Sequence, residues 1–87
     1  MSDETLLVFP CEFPVKIMGR HTPEFAATAR TLVENHTGPI SDAMIKSALS
    51  KNGRFVSITV TISAQSQQQL DDIYQDVSAH ADVLMAL

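Results

Sequence analysis

The sequence has little of what several protein classes require. It has one cysteine, Cys11, so no disulfide can form within the chain, and a lone thiol favours a reducing compartment. No apolar run approaches the roughly 20 residues that a membrane-spanning helix needs. The acidic start, Met1 to Glu4, lacks the basic region of a secretory signal. We therefore expect a cytoplasmic protein that does not associate with membranes.

Cationic residues and glycines are also scarce. Six Lys and Arg residues stand against ten Asp and Glu, and the formal net charge of −4 argues against nucleic-acid binding. The three glycines are scattered, so no glycine-rich loop that could hold a phosphate is predicted. A length of 87 residues with 45% hydrophobic residues indicates one globular domain. We expect a flexible N-terminal arm at residues 1–8 and a single domain over residues 9–87.

The clearest local signal is a β-hairpin. Residues 43–51 and 54–63 flank Asn52-Gly53, the dipeptide typical of a two-residue turn in which both residues have positive φ. Such a turn pairs Lys51 with Arg54, and it places apolar side chains of the two strands on the same face. A register slip of one residue would destroy that separation. The predicted pairs on this face are Leu49 with Val56, Ser47 with Ile58, and Ile45 with Val60.

Two helices and two further strands surround the hairpin. Alternating residues predict strands over 13–19 and 83–87, the latter with Val83, Met85 and Leu87 on one face. The first helix is predicted to start with Thr22 as its cap and Pro23 in its first turn, and to stop at Gly38-Pro39. The second is predicted to start at Ser66, with Gln69 in the capping-box position.

The element order is therefore strand, helix, strand, strand, helix, strand. Each strand–helix–strand half needs a right-handed crossover. The arrangement that satisfies both crossovers is an α+β, ferredoxin-like βαββαβ two-layer sandwich. Its four-stranded antiparallel sheet has the spatial order 4-1-3-2, and both helices cover one face.

Three stretches of the sequence carry a family resemblance. They are Phe9-Pro10-Cys11-Glu12-Phe13-Pro14-Val15-Lys16-Ile17-Met18-Gly19, Ser50-Lys51 leading into Val56-Ser57-Ile58-Thr59, and the ending Val83-Leu84-Met85-Ala86-Leu87. Together they resemble the YbeD-like family of small bacterial proteins. The resemblance implies the same βαββαβ fold, similar to ACT regulatory domains, and it brings no catalytic motif with it.

The residues that could support catalysis or metal binding are not arranged for it. Cys11 lies between two Phe-Pro segments, which is typical of a structural thiol. The three histidines, His21, His36 and His80, form no ligand pair of the His-x3-His kind. We predict no enzymatic activity, no catalytic residues, no metal site and no cofactor.

Two surfaces are candidates for binding. In the predicted sheet, Arg20 and His21 come close to Lys51 and Arg54 near the start of the first helix, and this group is called the cationic corner. Cations beside a helix N-terminus suit a small anion. The alternative is that these four residues are solvent-exposed turn residues with no ligand, whose charges only discourage aggregation.

The second surface is the sheet face without helices, called here the helix-free face. Its predicted protein interface consists of Met18, Met44, Lys46, Phe55 and Leu84, and Ala86 is expected on the same face. A mixed apolar surface of this kind suits another protein or a second copy of the chain. The N-terminal arm, Leu6 to Phe9, could instead fold back over it. We expect a non-enzymatic regulatory or adaptor domain acting through protein contacts, and the alternative is an ACT-like sensor of small anions.

Overall fold

The computed structural model describes residues 7–87, which follow the predicted βαββαβ order. Residues 1–6 of the predicted arm lie outside the described residues. The sheet order is β2-β3-β1-β4, and all neighbouring strands are antiparallel, as predicted. The elements are β1 (Cys11–Arg20), α1 (Phe25–Thr37), β2 (Ile45–Leu49), β3 (Phe55–Ala64), α2 (Gln67–Ala79) and β4 (Val83–Ala86), with a short 3₁₀ turn at Asp42–Met44 before β2.

The core lies between the two helices and one face of the two central strands. β1 and β3 pair over ten residues, from Cys11 opposite Ala64 to Arg20 opposite Phe55. Because side chains alternate along a strand, every second residue of each strand faces the helices. The helices contribute the rest of the core at helical spacing. The fully or nearly buried residues are Val15, Ile17, Val56, Ile58, Val60, Ile62 and Ala64 from the strands and Phe25, Ala29, Val33, Leu70, Ile73 and Val77 from the helices.

The hairpin has the predicted strand register but a different turn. Leu49 pairs with Val56 and Ile45 with Val60, as the alternation requires. The predicted two-residue turn is wrong, because Gly53 has a positive φ of 75° and Asn52 does not. The Gly53 amide donates to the Ser50 carbonyl, and the Asn52 Oδ1 atom accepts the Arg54 amide at 3.1 Å. This side-chain acceptor makes a wider loop stable, so Lys51 and Arg54 do not form a ladder pair.

Two of the predicted helix ends are confirmed by the structure. Gly38 ends α1 with a positive φ of 82°, and the Ser66 hydroxyl caps α2 by accepting the Gln69 amide at 3.1 Å. The predicted start of α1 is wrong. Thr22 does not cap the helix, because its carbonyl accepts the Phe25 amide in a separate turn, and α1 begins at Phe25 without a side-chain cap.

β4 departs from the predicted alternation. Gly19 pairs with Val83 and Met18 with Met85, so Leu84 is an additional residue in β4, and the register shifts between Met18 and Gly19. Such a bulge reverses the faces of the residues beyond it. Val83 and Ala86 pack against the core, and Met85 is 51% exposed. The expected placement of Ala86 on the helix-free face, and of Met85 opposite to it, is therefore wrong.

A polar network ties the end of α1 to the chain that leads into β2. The Glu34 carboxylate accepts the Ile40 amide at 2.8 Å and the Arg30 Nε–H at 3.1 Å. Arg30 also donates to the Ile40 carbonyl and lies 2.5 Å from the Asp42 carboxylate. The amide of Ile40, followed by the Arg30 guanidinium, lowers the pKa of Glu34 from its ordinary value of 4.5.

This network predicts an acid dependence of stability. A lowered folded-state pKa means that the stabilisation by Glu34 is present above pH 4.5 and is lost as pH falls through the lower folded-state value. We expect Glu34→Gln to lower the free energy of unfolding at neutral pH, and the gap to wild type to narrow in acid. Denaturant unfolding over a pH series measures this, with Glu12→Gln at an exposed position as the control. A gap that is constant with pH would contradict the assignment.

Gly19 is required because Phe25 packs directly on its α-carbon. A Cβ atom at Gly19 would clash with the Phe25 ring and would lie 2.6 Å from the Asp82 carbonyl oxygen. We expect Gly19→Ala to destabilise the domain by about 2 kcal/mol, the usual size of an overpacking effect. Thermal or denaturant unfolding measures the difference. Gly53→Asn is the control, because its Cβ would meet no atom within 4 Å and Asn tolerates positive φ. Equal free energies of unfolding for Gly19→Ala and wild type would contradict the prediction, because they would show that the Phe25 ring can move away without cost.

Candidate functional site

The helix-free face consists of alternate residues from all four strands. The strand register places them in rows across the sheet. One row has an apolar character and joins Met85, Met18, Ser57 and Ala48. The next row has a lysine on each side of Thr59. The order of residues in this row is Leu87, Lys16, Thr59 and Lys46. Leu87 is placed there because its backbone exchanges two hydrogen bonds with that of Lys16.

The two lysines of this row are held at a fixed separation. Lys16 and Lys46 are exposed and lie on strands that flank β3 on either side. Two strand spacings separate them, which corresponds to about 10 Å. The acidic strand residue on this face in the described part of the chain is Glu12, four residues before Lys16 on β1. The centre of the face is therefore apolar and cationic.

A shallow depression of about 310 Å³ lies on this face near the hairpin. Phe55 is 39% exposed there, and the guanidinium carbon of Arg20 lies 5.9 Å from the centre of its ring. That distance suits a cation–π contact, which orients both side chains. The lining residues are Lys16, Met18, Ala48, Leu49, Ser50, Phe55, Val56 and Ser57.

The structure brings some of the predicted interface residues together and separates others. Met18, Lys46 and Phe55 lie on the helix-free face. Met44 lies in the 3₁₀ turn outside β2, where it lines a different depression of about 500 Å³ between that turn and the start of α2. Leu84, at the β4 bulge, lines a depression with Arg20, Thr22 and Phe25 at the start of α1.

Sequence reasoning missed two members of this face. Met85 and Leu87 stand opposite Met18 and Lys16, and they are 51% and 60% exposed. The bulge brings them there, and no residue in 83–87 identifies a bulge, since none is Gly or Pro. Phe9, the last residue of the stretch from Leu6 that could fold back, packs against the core cluster, so its side chain does not cover the helix-free face.

The cationic corner is an open arrangement at one end of the sheet. Arg20 pairs with Phe55, and the His21 amide donates to the Arg54 carbonyl at 2.8 Å, which brings three of the four predicted residues together. Lys51 lies in the hairpin loop nearby. All four side chains are exposed, and the depression that Arg20 lines also contains the acidic Glu24 and Asp82. The corner thus presents cations along a surface without enclosing a ligand.

The two predicted sites meet at Arg20. This residue belongs to the cationic corner, and its contact with Phe55 places it at the border of the helix-free face. Five of the six Lys and Arg residues lie on the strands or their turns, while α2 carries Asp71, Asp72 and Asp76. Arg30 on α1 is engaged by Glu34 and Asp42. Most of the cations are therefore on the sheet and its turns, whereas α2 carries acidic groups.

The thiol and the histidines lie in separate surroundings. Cys11 is a half-buried free thiol that packs against the core at the start of β1. His36 Nε2 lies 2.6 Å from the Asp76 carboxylate and links the two helices, and His80 Nδ1 accepts the Asp82 amide. Within residues 7–87, no three His, Cys, Asp or Glu residues are grouped closely enough to hold a metal ion. No helix in this part of the chain has the length and apolarity needed to cross a membrane.

These features define a small α+β domain of the ferredoxin-like type with one open sheet face. The chain belongs to the family described as "Protein of unknown function (DUF493)", whose model matches residues 4–87. A UPF0250 protein of Chromobacterium violaceum is 43% identical over 89 residues, and the match covers 100% of both chains. A UPF0250 protein of Paraburkholderia phytofirmans is 40% identical over 85 residues, covering 98% of this chain and 96% of the relative. The predicted membership of the YbeD-like family is confirmed.

The fold is also similar to a solved structure. The solution structure of protein HP0495 from Helicobacter pylori has a TM-score of 0.75 at 21% sequence identity, and it covers 99% of this chain and 90% of its own. At this identity the likeness concerns the fold alone. It agrees with the ferredoxin-like topology inferred from the hairpin and the element order.

The open geometry of the cationic corner predicts weak, salt-sensitive contact with small anions. Phosphate titrated against the protein should shift the amide NMR signals of Arg20 and Arg54, and added neutral salt should diminish the shifts because exposed charges are screened. The shifts should disappear in the double variant Arg20→Glu/Arg54→Glu and persist in Lys46→Glu, the control. Shifts that survive charge reversal at both arginines would place any anion elsewhere.

Proposed function

We propose that this chain is a non-enzymatic adaptor or regulatory domain that binds another protein through the helix-free face and the adjoining cationic corner. The carrying observation is the combination of exposed apolar side chains with exposed cations on that face. Met85, Leu87 and Phe55 are exposed, and Lys16 and Lys46 lie on either side of Thr59 in the row next to the apolar row. Open sheet faces with large exposed apolar groups are typical of interaction sites.

The face also indicates the chemistry of its partner. Apolar side chains of the partner would lie over Met18, Ala48 and Met85, and carboxylates about 10 Å apart would reach Lys16 and Lys46. Arg20, held over Phe55, adds a third cation at the hairpin end. Aromatic and Arg residues contribute strongly at protein interfaces, so this pair is expected to dominate the affinity.

A cytoplasmic, ACT-like regulatory role agrees with these features. The one cysteine is a free thiol, which is compatible with a reducing compartment. The ACT-like comparison rests on the shared element order and on the family resemblance. Because a fold alone does not specify a function, the docking surface carries the proposal.

The proposal predicts which substitutions abolish capture of the partner. Immobilised wild-type protein should retain at least one protein from a cell extract that Lys16→Glu/Lys46→Glu and Phe55→Ser do not retain. Elution by moderate salt is expected because carboxylate–lysine pairs are screened. Mass spectrometry of the eluates identifies the protein, and calorimetry with the purified partner measures the loss, about tenfold or more in affinity for each variant.

A matched control separates this face from the helices. Gln75 and Ser78 are exposed on α2. The double variant Gln75→Glu/Ser78→Glu makes the net charge more negative, as the lysine variant also does, but it leaves the helix-free face intact. This control should retain the same protein as wild type. Equal capture by all variants would refute the docking surface. A metabolite retained in place of a protein, and lost on charge reversal at Arg20 and Arg54, would favour the anion sensor.

A further inference from the structure

The outer edge of β2 is the least protected part of the sheet. Proteins usually prevent edge strands from pairing with other chains by charges, prolines, bulges, short length or a covering element. β4, at the opposite edge, has four residues, lies next to a bulge and packs against α2. β2 pairs with β3 over five residues without a register shift, and it contains no proline and one charge, Lys46.

The helices leave most of β2 uncovered, although Ile45 at its start packs against the core. They pack over β1, β3 and β4, so Ser47 and Leu49 are exposed even though their side chains point to the helix side of the sheet. Leu49 is 56% exposed. A depression of about 400 Å³ lies beside the strand and is lined by Ile45 together with Ala26, Ala27, Arg30 and Asp42. The exposed Leu49 side chain is therefore at one end of this short strand, and at the other end is a recess in which Ile45 and two alanines adjoin the Arg30–Asp42 ion pair.

The backbone of β2 offers unused hydrogen-bonding groups at regular spacing. The Ser50 amide donates to the Phe55 carbonyl, and bonded pairs alternate along an antiparallel ladder. Lys46 and Ala48 therefore bond to β3, whereas Ser47 and Leu49 direct their amides and carbonyls away from it. The Ile45 amide already donates to the Asp42 carbonyl, which leaves the Ile45 carbonyl on the free edge.

We propose that a second copy of this chain pairs with this edge, β2 against β2, in an antiparallel register centred on Ser47. In that register Ser47 of each copy exchanges two hydrogen bonds with the other, and each Leu49 amide donates to the Ile45 carbonyl of the opposite copy. Leu49 of each copy lies over Ile45 at the recess of the other. Lys46 faces Ala48, so like charges are not directly opposed.

The result is a closed two-fold dimer with one continuous eight-stranded sheet. The same patch is used by both copies, so the assembly stops at two. Both pairs of helices lie on one side of that sheet, and the helix-free face doubles in width. A contact made by two five-residue strands is small, so a weak, concentration-dependent dimer is expected.

Charged substitutions of Ser47, which lies at the two-fold axis of the proposed dimer, test this register. Sedimentation velocity over a wide concentration range should show a monomer–dimer equilibrium for wild type. Ser47→Lys and Ser47→Glu should each raise the dissociation constant about tenfold or more, because each substitution opposes two like charges. An equimolar mixture of the two variants should dimerise again, because opposite charges then face each other. Ser78→Lys, Ser78→Glu and their mixture, at an exposed serine on α2, are controls that should behave as wild type.

Amide hydrogen exchange of the wild-type protein provides a second readout that needs no substitution. Exchange at Ser47 and Leu49 should slow as the protein concentration rises, whereas exchange at Lys46 and Ala48 on the same strand should not change. A wild-type protein that is monomeric at every concentration overturns the proposal. Dimers that persist in Ser47→Lys, or mixed variants that fail to associate, overturn the register. None of these outcomes depends on the partner of the helix-free face, so the two proposals fail separately.

Discussion

The ten-residue pairing of β1 with β3 fixes the position of nearly every other element. These strands occupy the centre of the sheet, and their alternating side chains divide the molecule into a covered side and an open side. Val15 and Ile17 pack against the helices, while the alternate residues Lys16 and Met18 face the opposite way. One strand thus supplies both the core and the candidate binding surface, so a change in its register would destroy both together.

Short-range rules accounted for the hairpin and the fold. The alternation on both sides of Asn52-Gly53 allowed one register, and that register, with two right-handed crossovers, led to the observed strand order. The turn was wrong in detail because Ser50 and Asn52 form a local side-chain network, which a dipeptide rule does not include. The start of α1 was misplaced for a similar reason, since the Thr22 carbonyl, and not its side chain, bonds to the first turn.

The membership of the candidate site was harder to predict because it depends on contacts between distant residues. The Phe25 ring lies on Gly19 at the point where the pairing of β1 with β4 shifts register. Nothing within residues 83–87 reports that shift, so Met85 and Leu87 could not be placed by alternation. Lys16, Met18 and Phe55 lie on the two central strands, where the register is fixed, and their face was predictable. Arg20 was assigned to the cationic corner alone, and its contact with Phe55 links that corner to the helix-free face.

The separation of charge between the sheet and the helices affects how the domain approaches other molecules. Five cations lie on the strands and turns and three carboxylates lie on α2, so charge is unevenly distributed between the two layers of the domain. An acidic surface would repel the α2 side of the domain more than the sheet side, which favours approach with the sheet leading. Such orientation reduces the number of unproductive collisions and raises the association rate more than the equilibrium affinity. For a domain that binds through an open surface, the speed of encounter is a property that evolution can adjust by changing single surface charges far from the contact itself.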